Sequence, residues 1–511
     1  MRRSALAAVL LAATFAALPA HSALETQPGS PGAATPTAAP AKLEEKLVAT
    51  RHSIALGGRE IRYTATAGTL VLKDEAGKDK ASMFYVAYVK DGEADVSRRP
   101  VTFTFNGGPG SSSVWLHLGA FGPRRVAMTD EGWALPPPSR LVDNEESLLD
   151  LTDLVFIDPV TTGFSRPAPG ENANQFHGVQ EDVKAVAELI RLWTVRNGRW
   201  GSPKFLAGES YGTTRAAGLA GYLQSELGIY LNGVTLISTV LQFQTLSFNV
   251  GNDLPYPLYL PSYTATAWFH KKLPADLQVD LAKAIEESKR FAAGEYTLAL
   301  LRGNRLSSDE RRALAGKLSR LTGLSVEYLL AANLRPVIEP FTKELLRSER
   351  TTVGRLDSRF RGLDLAAVGA EPEVDPSYAA IKGEFTSALN AYVKGELGFS
   401  SDLNYEILTD KVRPWSFEDW PNQYVNVAEK LREAMAQNPA LRVFVGCGTY
   451  DLATPFFAAE YTFDHLGFDP TYTARTTLHR YGAGHMMYIR AEDRRQLKRD
   501  LAEFYRTALG G

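Results

Sequence analysis

The chain has 511 residues, enough for one large α/β domain with an insertion or for two or three ordinary domains. Its 56 basic and 58 acidic side chains nearly cancel, so no global field would attract nucleic acid or anionic lipid, and a small, neutral or mixed substrate is favoured. Hydrophobic residues make up 44% and aromatic residues 10% of the chain, which excludes a disordered or fibrous protein.

The first 23 residues have the pattern of a signal peptide. Arg2 and Arg3 precede an apolar run, residues 5–18, which ends in small residues and is too short to span a bilayer. Residues 24–42 follow as a Pro/Ala-rich segment that predicts a flexible linker. We therefore expect export to a periplasm or out of the cell, and no membrane attachment once the signal peptide is removed.

Short apolar runs predict the strands. Alternating runs within residues 54–105 predict antiparallel strands and hairpins. Compact apolar runs predict buried parallel strands at residues 101–105, 154–157, 205–207, 234–237 and 443–445. Most of these runs lie close in the sequence to a segment with a helical pattern. A helix is predicted over residues 180–195. Strands that alternate with such helices indicate an open, mostly parallel sheet of the α/β class.

The character of the chain changes between residues 243 and 421. Charged amphipathic helices predominate there, for example over residues 308–332, and strand-like runs are few. We interpret this stretch as a helical insertion that divides an α/β core into residues 43–242 and 422–511. Cys447, the single cysteine, excludes an internal disulfide and follows an apolar run, which predicts a small buried hydrophobe.

Residues 208–212, Gly-Glu-Ser-Tyr-Gly, have the context of a nucleophile elbow. They follow a predicted strand and precede a helical segment, and an abrupt turn between the two strains the central serine and requires small neighbours. The pattern predicts Ser210 as a nucleophile. A chance match and a simple helix cap are the alternatives.

A serine hydroxyl needs a base, and the base needs an orienting acid, because the hydroxyl is a poor nucleophile at neutral pH. Asp451 lies in a loop that ends a predicted strand, and His485 lies in the small-residue loop 482–486. The chain order Ser, Asp, His favours these two residues, whereas His465 and His479 lack a glycine loop. The alternatives are a turn aspartate and an ordinary surface or core histidine.

Residues 106–110, Asn-Gly-Gly-Pro-Gly, follow the predicted strand 101–105. Negative charge on a substrate carbonyl oxygen must be met by fixed donors, and this backbone can approach a ligand closely. The segment therefore predicts one side of an oxyanion hole, with the amide of Tyr211 as the second donor. A Gly/Pro turn is the alternative.

In combination, the motifs of the chain resemble those of the serine carboxypeptidases. The matching segments are residues 106–113, residues 158–165 (Asp-Pro-Val-Thr-Thr-Gly-Phe-Ser), the elbow 208–212 and Gly484-His485-Met486. The resemblance covers about residues 84–489, apart from the insertion. It implies an exported bacterial member of that family with an α/β-hydrolase fold, in which the insertion caps the cleft.

The resemblance also implies roles for particular residues. Asn106 and Gly107 would bind the terminal carboxylate of a peptide substrate, and Glu209 would help by sharing a proton with it. The other implied contacts are an oxyanion hole from the amides of Gly108 and Tyr211, and Met486 at the leaving-residue pocket.

Three positions depart from the family pattern. Ser111 stands where the family usually has a disulfide cysteine. Thr161 stands where the family has a glycine, and in the same segment Asp158 is followed directly by Pro159, without the residue that usually lies between them. Ala120 stands where a second glutamate is expected. A carboxyl must be protonated to donate to a carboxylate, so we expect peptide binding to weaken as Glu209 ionises, less steeply than with two acids.

The sequence thus predicts hydrolysis of the C-terminal peptide bond of peptides through a Ser-His-Asp triad and an acyl-enzyme intermediate. Nothing in it resembles a zinc-binding cluster or a phosphate-binding loop, so neither metal nor cofactor is expected. An esterase or acyltransferase with the same triad is the nearest alternative, and a catalytically silent binding protein is another. The preferred terminal residue and the oligomeric state stay open.

Overall fold

The computed structural model describes residues 42–467 and 469–510. The predicted signal peptide, residues 1–23, and the predicted linker up to residue 41 lie outside the described residues. Among those described, no helix combines the length and the apolar character that a membrane span requires.

Fourteen strands occur in the described residues. In chain order they are β1 (Leu47–Leu56), β2 (Arg59–Lys73), β3 (Asp79–Lys90), β4 (Val101–Phe105), β5 (Arg124–Val126), β6 (Leu141–Asp143), β7 (Asp153–Ile157), β8 (Arg166–Pro167), β9 (Lys204–Glu209), β10 (Gly233–Ile237), β11 (Thr351–Val353), β12 (Arg361–Leu363), β13 (Arg442–Gly448) and β14 (Thr476–Tyr481).

Ten of these strands form one central sheet, in the order β1-β2-β3-β7-β4-β9-β10-β13-β14, with β8 beside β3. From β1 to β7 the neighbours pair antiparallel, and from β7 to β14 they pair parallel. The five predicted parallel strands are confirmed as β4, β7, β9, β10 and β13, which are almost entirely buried, as expected between helical layers. Sequence analysis missed β14, whose residues are mostly not buried at the sheet edge.

Fifteen α-helices occur in the described residues. They are α1 (Val114–Leu116), α2 (Val179–Arg196), α3 (Tyr211–Leu227), α4 (Pro255–Phe269), α5 (Ala275–Gln278), α6 (Leu281–Phe291), α7 (Thr297–Arg302), α8 (Ser308–Thr322), α9 (Val326–Ala331), α10 (Ile338–Glu344), α11 (Pro376–Gly395), α12 (Ala428–Gln437), α13 (Phe456–Asp464), α14 (Pro470–Thr473) and α15 (Ala491–Ala508).

The prediction of a single helix over residues 308–332 is wrong, because the two helices α8 and α9 occupy this stretch. Gly323 ends α8 with φ 72°, a left-handed conformation that stops a helix. The side chain of Ser325 then accepts a hydrogen bond from Tyr328 N and begins α9.

Helices cover both faces of the sheet. Phe205 and Leu206 are neighbours on β9 but belong to different hydrophobic clusters, as the alternation of side chains along a strand requires. Trp193 of α2 and Leu431 of α12 lie in the cluster of Leu206. Tyr505 of α15 lies in the cluster of Phe205.

The segment predicted as one helical insertion, residues 243–421, contributes to three hydrophobic clusters, and its Ala265 and Ile285 lie in the cluster of Leu206. Helices α4 to α10 enclose a cluster of their own, in which the Tyr263 and Phe341 rings stack with centroids 4.1 Å apart. Helix α11, by contrast, packs Phe385 and Tyr392 into the core of the sheet. The bounds of the insertion stay a prediction.

Asp153, the first residue of β7, holds two buried arginines. Arg99 Nε donates to Asp153 Oδ1 at 2.6 Å, and Arg199 Nη1 donates to Oδ2 at 2.5 Å. All three side chains are buried. The single carboxylate therefore compensates part of the positive charge of two buried guanidinium groups.

We predict that Asp153→Asn lowers the free energy of unfolding by about 3–5 kcal/mol, because it leaves buried positive charge uncompensated. Urea unfolding followed by circular dichroism measures the change. Asp143, whose ion pair with Arg124 is largely exposed, supplies the control, and Asp143→Asn should cost no more than about 1 kcal/mol. Equal losses in the two variants would contradict the prediction.

Candidate active site

Ser210 occupies a strained turn between β9 and α3. Its φ of 60° and ψ of −131° are unusual for a residue with a side chain. Close backbone packing holds this turn, since a Cβ atom added to Gly208 would collide with Gly212 O. Ser210 N also donates to Ile237 O at the end of β10, at 2.9 Å. The fold therefore presents this hydroxyl at the start of a helix.

The predicted site residues meet because parallel strands end at the same edge of the sheet. Asn106 directly follows β4, and Ser210 directly follows β9. Asp451 lies in the loop after β13, and His485 lies in the loop after β14. This is the carboxyl edge, where sheets of this kind bind their ligands.

Asp451 and His485 form a buried pair. His485 Nδ1 lies 2.7 Å from Asp451 Oδ2. The amides of Ala453 and Thr454 donate to Asp451 Oδ1 at 2.7 and 3.0 Å, and Thr454 Oγ1 donates to Oδ2 at 2.7 Å. Burial alone would lower the pKa of His485, but the Asp451 carboxylate raises that pKa above its ordinary value. The aspartate thus orients the imidazole and stabilises its charged form.

A segment that sequence analysis did not predict anchors the histidine loop. His485 N donates to Leu356 O at 2.6 Å, and Gly484 N donates to Asp357 Oδ2 at 2.9 Å. Leu452 N, in the loop of the aspartate, donates to Arg355 O at 3.0 Å. Residues 355–357 follow β11 and carry no motif, so the local sequence does not predict that they support the histidine loop.

Ser210 and His485 line one cavity of about 700 Å³, and Asp451 lies buried behind it. Between these described side chains, no hydrogen bond joins Ser210 Oγ to the imidazole. The same cavity is lined by the predicted binding and oxyanion residues Asn106, Gly107, Gly108, Glu209, Tyr211 and Met486.

The rest of the cavity wall is mostly apolar, with a few charges. Its large apolar side chains include Trp115, Phe243, Tyr259, Tyr378 and Ile381. Its other charged side chains are Arg355, Lys382, Asp410 and Arg413. Apolar walls with a few polar groups are typical of a site for a small ligand or a chain end.

Two backbone amides are free to serve as oxyanion donors. Neither Gly108 N nor Tyr211 N donates to a described acceptor. The two segments lie against each other, since a Cβ atom on Gly107 would collide with Tyr211 N. Arg215 holds this arrangement, because its Nη1 donates to Asn106 O at 2.5 Å while its Nε donates to Asp182 at 2.7 Å. Sequence analysis missed Arg215.

Glu209 is a buried carboxyl beside the nucleophile. Burial raises the pKa of Glu209 to about 7, against the opposing attraction of His485. Asn106 lies next to it and accepts from Leu116 N with Oδ1 at 3.1 Å. Its buried Nδ2 lies near Glu209 but makes no well-aligned hydrogen bond to a described residue. The amide nitrogen of Asn106 therefore keeps its capacity to donate to an incoming group.

Ser111, which stands at the position of the expected cysteine, makes hydrogen bonds through its side chain. Its hydroxyl donates to Ile407 O at 3.2 Å and accepts from Trp115 Nε1 at 2.8 Å. Thr409 N donates to Gly110 O at 3.0 Å in the same region. Within residues 42–467 and 469–510, no group of three or more His, Cys, Asp or Glu side chains could hold a metal ion.

Comparison with known proteins gives matches to part of the chain. Residues 63–296 match the family model described as serine carboxypeptidase. This range includes Ser210 and the predicted oxyanion segment but not Asp451 or His485. The chain is 28% identical over 197 residues to serine carboxypeptidase-like 45 of Arabidopsis thaliana, and 27% identical over 176 residues to serine carboxypeptidase-like 46. These matches span 37% and 33% of this chain, and 39% and 35% of those relatives.

A solved structure shares the fold. The prohormone-processing carboxypeptidase Kex1(delta)p of Saccharomyces cerevisiae matches with a TM-score of 0.55 and 17% identity, over 86% of this chain and 92% of that one. Together with the order of the sheet, this match confirms the predicted α/β-hydrolase fold. The chain is thus similar to the serine carboxypeptidases over residues 63–296, and it shares the fold of a solved carboxypeptidase.

Proposed function

We propose that this protein removes the C-terminal residue of peptides by hydrolysis, with Ser210 as nucleophile, His485 as base and Asp451 as orienting acid. The observation that carries the proposal is one cavity lined by Ser210, His485 and the buried pair Glu209 and Asn106. An acyl-transfer centre beside groups that suit a terminal carboxylate matches this substrate class. Export, indicated by residues 1–23, would place the reaction in a periplasm or outside the cell.

The reaction follows from the roles of the side chains. His485 takes the Ser210 proton as Oγ attacks the carbonyl carbon of the last peptide bond, and the Gly108 and Tyr211 amides stabilise the oxyanion. His485 then gives the proton to the leaving amine as the C–N bond breaks, which leaves an acyl-enzyme. A water molecule that His485 deprotonates attacks the ester, and Ser210 regains its proton.

The terminal carboxylate of the substrate would bind to hydrogen-bond donors. Asn106 Nδ2 is one donor, and the backbone at Gly107 borders the same part of the cavity. Glu209 donates only when it is protonated, and its pKa of about 7 keeps the proton in place up to neutral pH. Carboxylate binding should therefore be strong below that pH and weaken above it.

An esterase or acyltransferase is the second candidate, and one observation favours it. Position 120 is a buried alanine, so the second acid that would hold a carboxylate is absent. The absence of this acid would weaken the binding of substrates without a terminal carboxylate less than the binding of peptides. Cleavage of a blocked dipeptide with a free carboxylate, compared with cleavage of its C-terminal ester, separates the two candidates.

We predict that Ser210→Ala loses labelling by a fluorophosphonate probe and at least about a thousandfold in kcat/KM, because the attacking oxygen is removed. Gel fluorescence and hydrolysis of a blocked dipeptide measure the two effects. Ser225→Ala, an exposed substitution on the same helix, should retain both activities. Labelling that persists in Ser210→Ala would exclude this nucleophile.

We predict that the KM for a blocked dipeptide with a free carboxylate rises as the pH passes upward through about 7, where Glu209 loses its proton. Glu209→Gln should flatten this rise, because an amide donates at every pH. Steady-state kinetics between mildly acidic and mildly alkaline pH measure it, with the C-terminal amide of the same dipeptide as a control that lacks the carboxylate. The same pH response in wild type and Glu209→Gln would refute the role of Glu209.

A further inference from the structure

Tyr488 makes a contact with Glu209 that the proposed mechanism does not use. The tyrosine lies just after the histidine loop and is fully buried. Its hydroxyl donates to Glu209 Oε2 at 2.5 Å. Both partners are shielded from water, so this hydrogen bond to a titratable group is strong.

The chain makes room for this ring at Gly119, the residue before the position that lacks the second acid. A Cβ atom added to Gly119 would lie 2.5 Å from Cε2 of Tyr488, so a larger residue there would displace the ring. The next residue along the chain is Ala120, where a second glutamate was expected. Gly119 thus leaves the space that Tyr488 fills.

We propose that Tyr488 replaces the missing second acid, as a positioning residue that holds Glu209 and determines the pH at which Glu209 gives up its proton. This inference rests on the proposed function, in which Glu209 binds the terminal carboxylate of the substrate. Tyr488 bonds to Oε2, and no described group bonds to Oε1 with good geometry. Glu209 Oε1 is then the oxygen that carries the proton to the substrate.

A phenol and a carboxylic acid differ as partners for Glu209. A second carboxyl ionises in the same pH range and repels its neighbour, so the two groups titrate together. Burial and the nearby Glu209 raise the pKa of Tyr488 well above its ordinary value, so the phenol stays a donor. A permanent donor favours the ionised form of its partner. Tyr488 therefore limits the rise in the Glu209 pKa that burial causes.

The other groups around Glu209 are few. Burial raises its pKa most, and the charge of Asp451 adds to that rise. His485, Tyr488 and the Asn106 side chain all lower it. Of these, Tyr488 is the one with no part in the proposed chemistry, so it can be changed while the base and its orienting acid stay intact.

The test is the pH dependence of KM for a blocked dipeptide in wild type and Tyr488→Phe. We expect the rise in KM to move to higher pH by about one unit, since a hydrogen bond to a charged group corresponds to a shift of that size. Above the wild-type transition, Tyr488→Phe should then bind the dipeptide several-fold more tightly than wild type. The C-terminal amide of the dipeptide should show no such difference.

Two further variants make the result specific. Gly119→Ala should displace the Tyr488 ring and shift the transition in the same direction, without touching Glu209. Tyr505→Phe removes another buried tyrosine hydroxyl, which lies 2.6 Å from Thr102 Oγ1, and should leave the transition unchanged. A purely structural role for Tyr488 would lower kcat/KM equally at every pH and for both substrates, and that outcome would overturn the proposal.

A spectroscopic measurement separates this inference from the proposed function. In Ser210→Ala, infrared difference spectra can follow the C=O band of protonated Glu209, identified by its loss in Glu209→Gln. Adding Tyr488→Phe should raise the midpoint of this titration, whether or not the wild type cleaves peptides. An unmoved midpoint would overturn the inference, whereas a moved midpoint in a protein without peptidase activity would overturn the proposed function alone.

Discussion

The strained turn at Ser210 is the constraint on which the site depends. A side chain held in this conformation costs about 1–3 kcal/mol, so its surroundings must enforce it. Ser210 N is tied to β10 through Ile237 O, and the elbow packs against the turn after β4 so closely that Gly107 has no room for a side chain. Arg215 ties the same two segments together. The nucleophile, the oxyanion donors and Asn106 therefore form one rigid unit.

The fold and the main site residues were predictable because the signals are local. A buried apolar run followed by a small-residue loop marks a strand that ends at the carboxyl edge, and Ser210 and Asp451 occupy such loops. His485 follows β14, which has no such run, and its glycine loop and its place in the chain order predicted it instead. Residues 355–357, Arg215 and Tyr488 escaped prediction because their partners are remote, 279 positions away for Tyr488 and Glu209. The adjacent small residues Gly119 and Ala120 were the available hint of an unfilled space. The catalytic and binding roles of the predicted residues stay predictions.

Substrate binding and base strength are linked in the proposed function. Glu209 and His485 attract each other when both are charged, which favours a proton on the imidazole. Catalysis needs the opposite distribution, with the proton on Glu209 and a neutral imidazole. A bound terminal carboxylate favours that distribution, because it is repelled by an ionised Glu209 and accepts from a protonated one. The correct substrate would thus help to prepare its own base.

The hydrogen bonds from the histidine loop to residues 355–357 have a consequence for protein engineering. This segment lies in the sequence of the predicted insertion, yet it supports the loops of both His485 and Asp451. A chimaera that exchanges helices α4 to α10 with those of a protein of similar fold would keep the support if its junction precedes Arg355. Exchange of the whole insertion would instead remove part of the scaffold beneath the base, so altered specificity is best sought on the amino-terminal side of that junction.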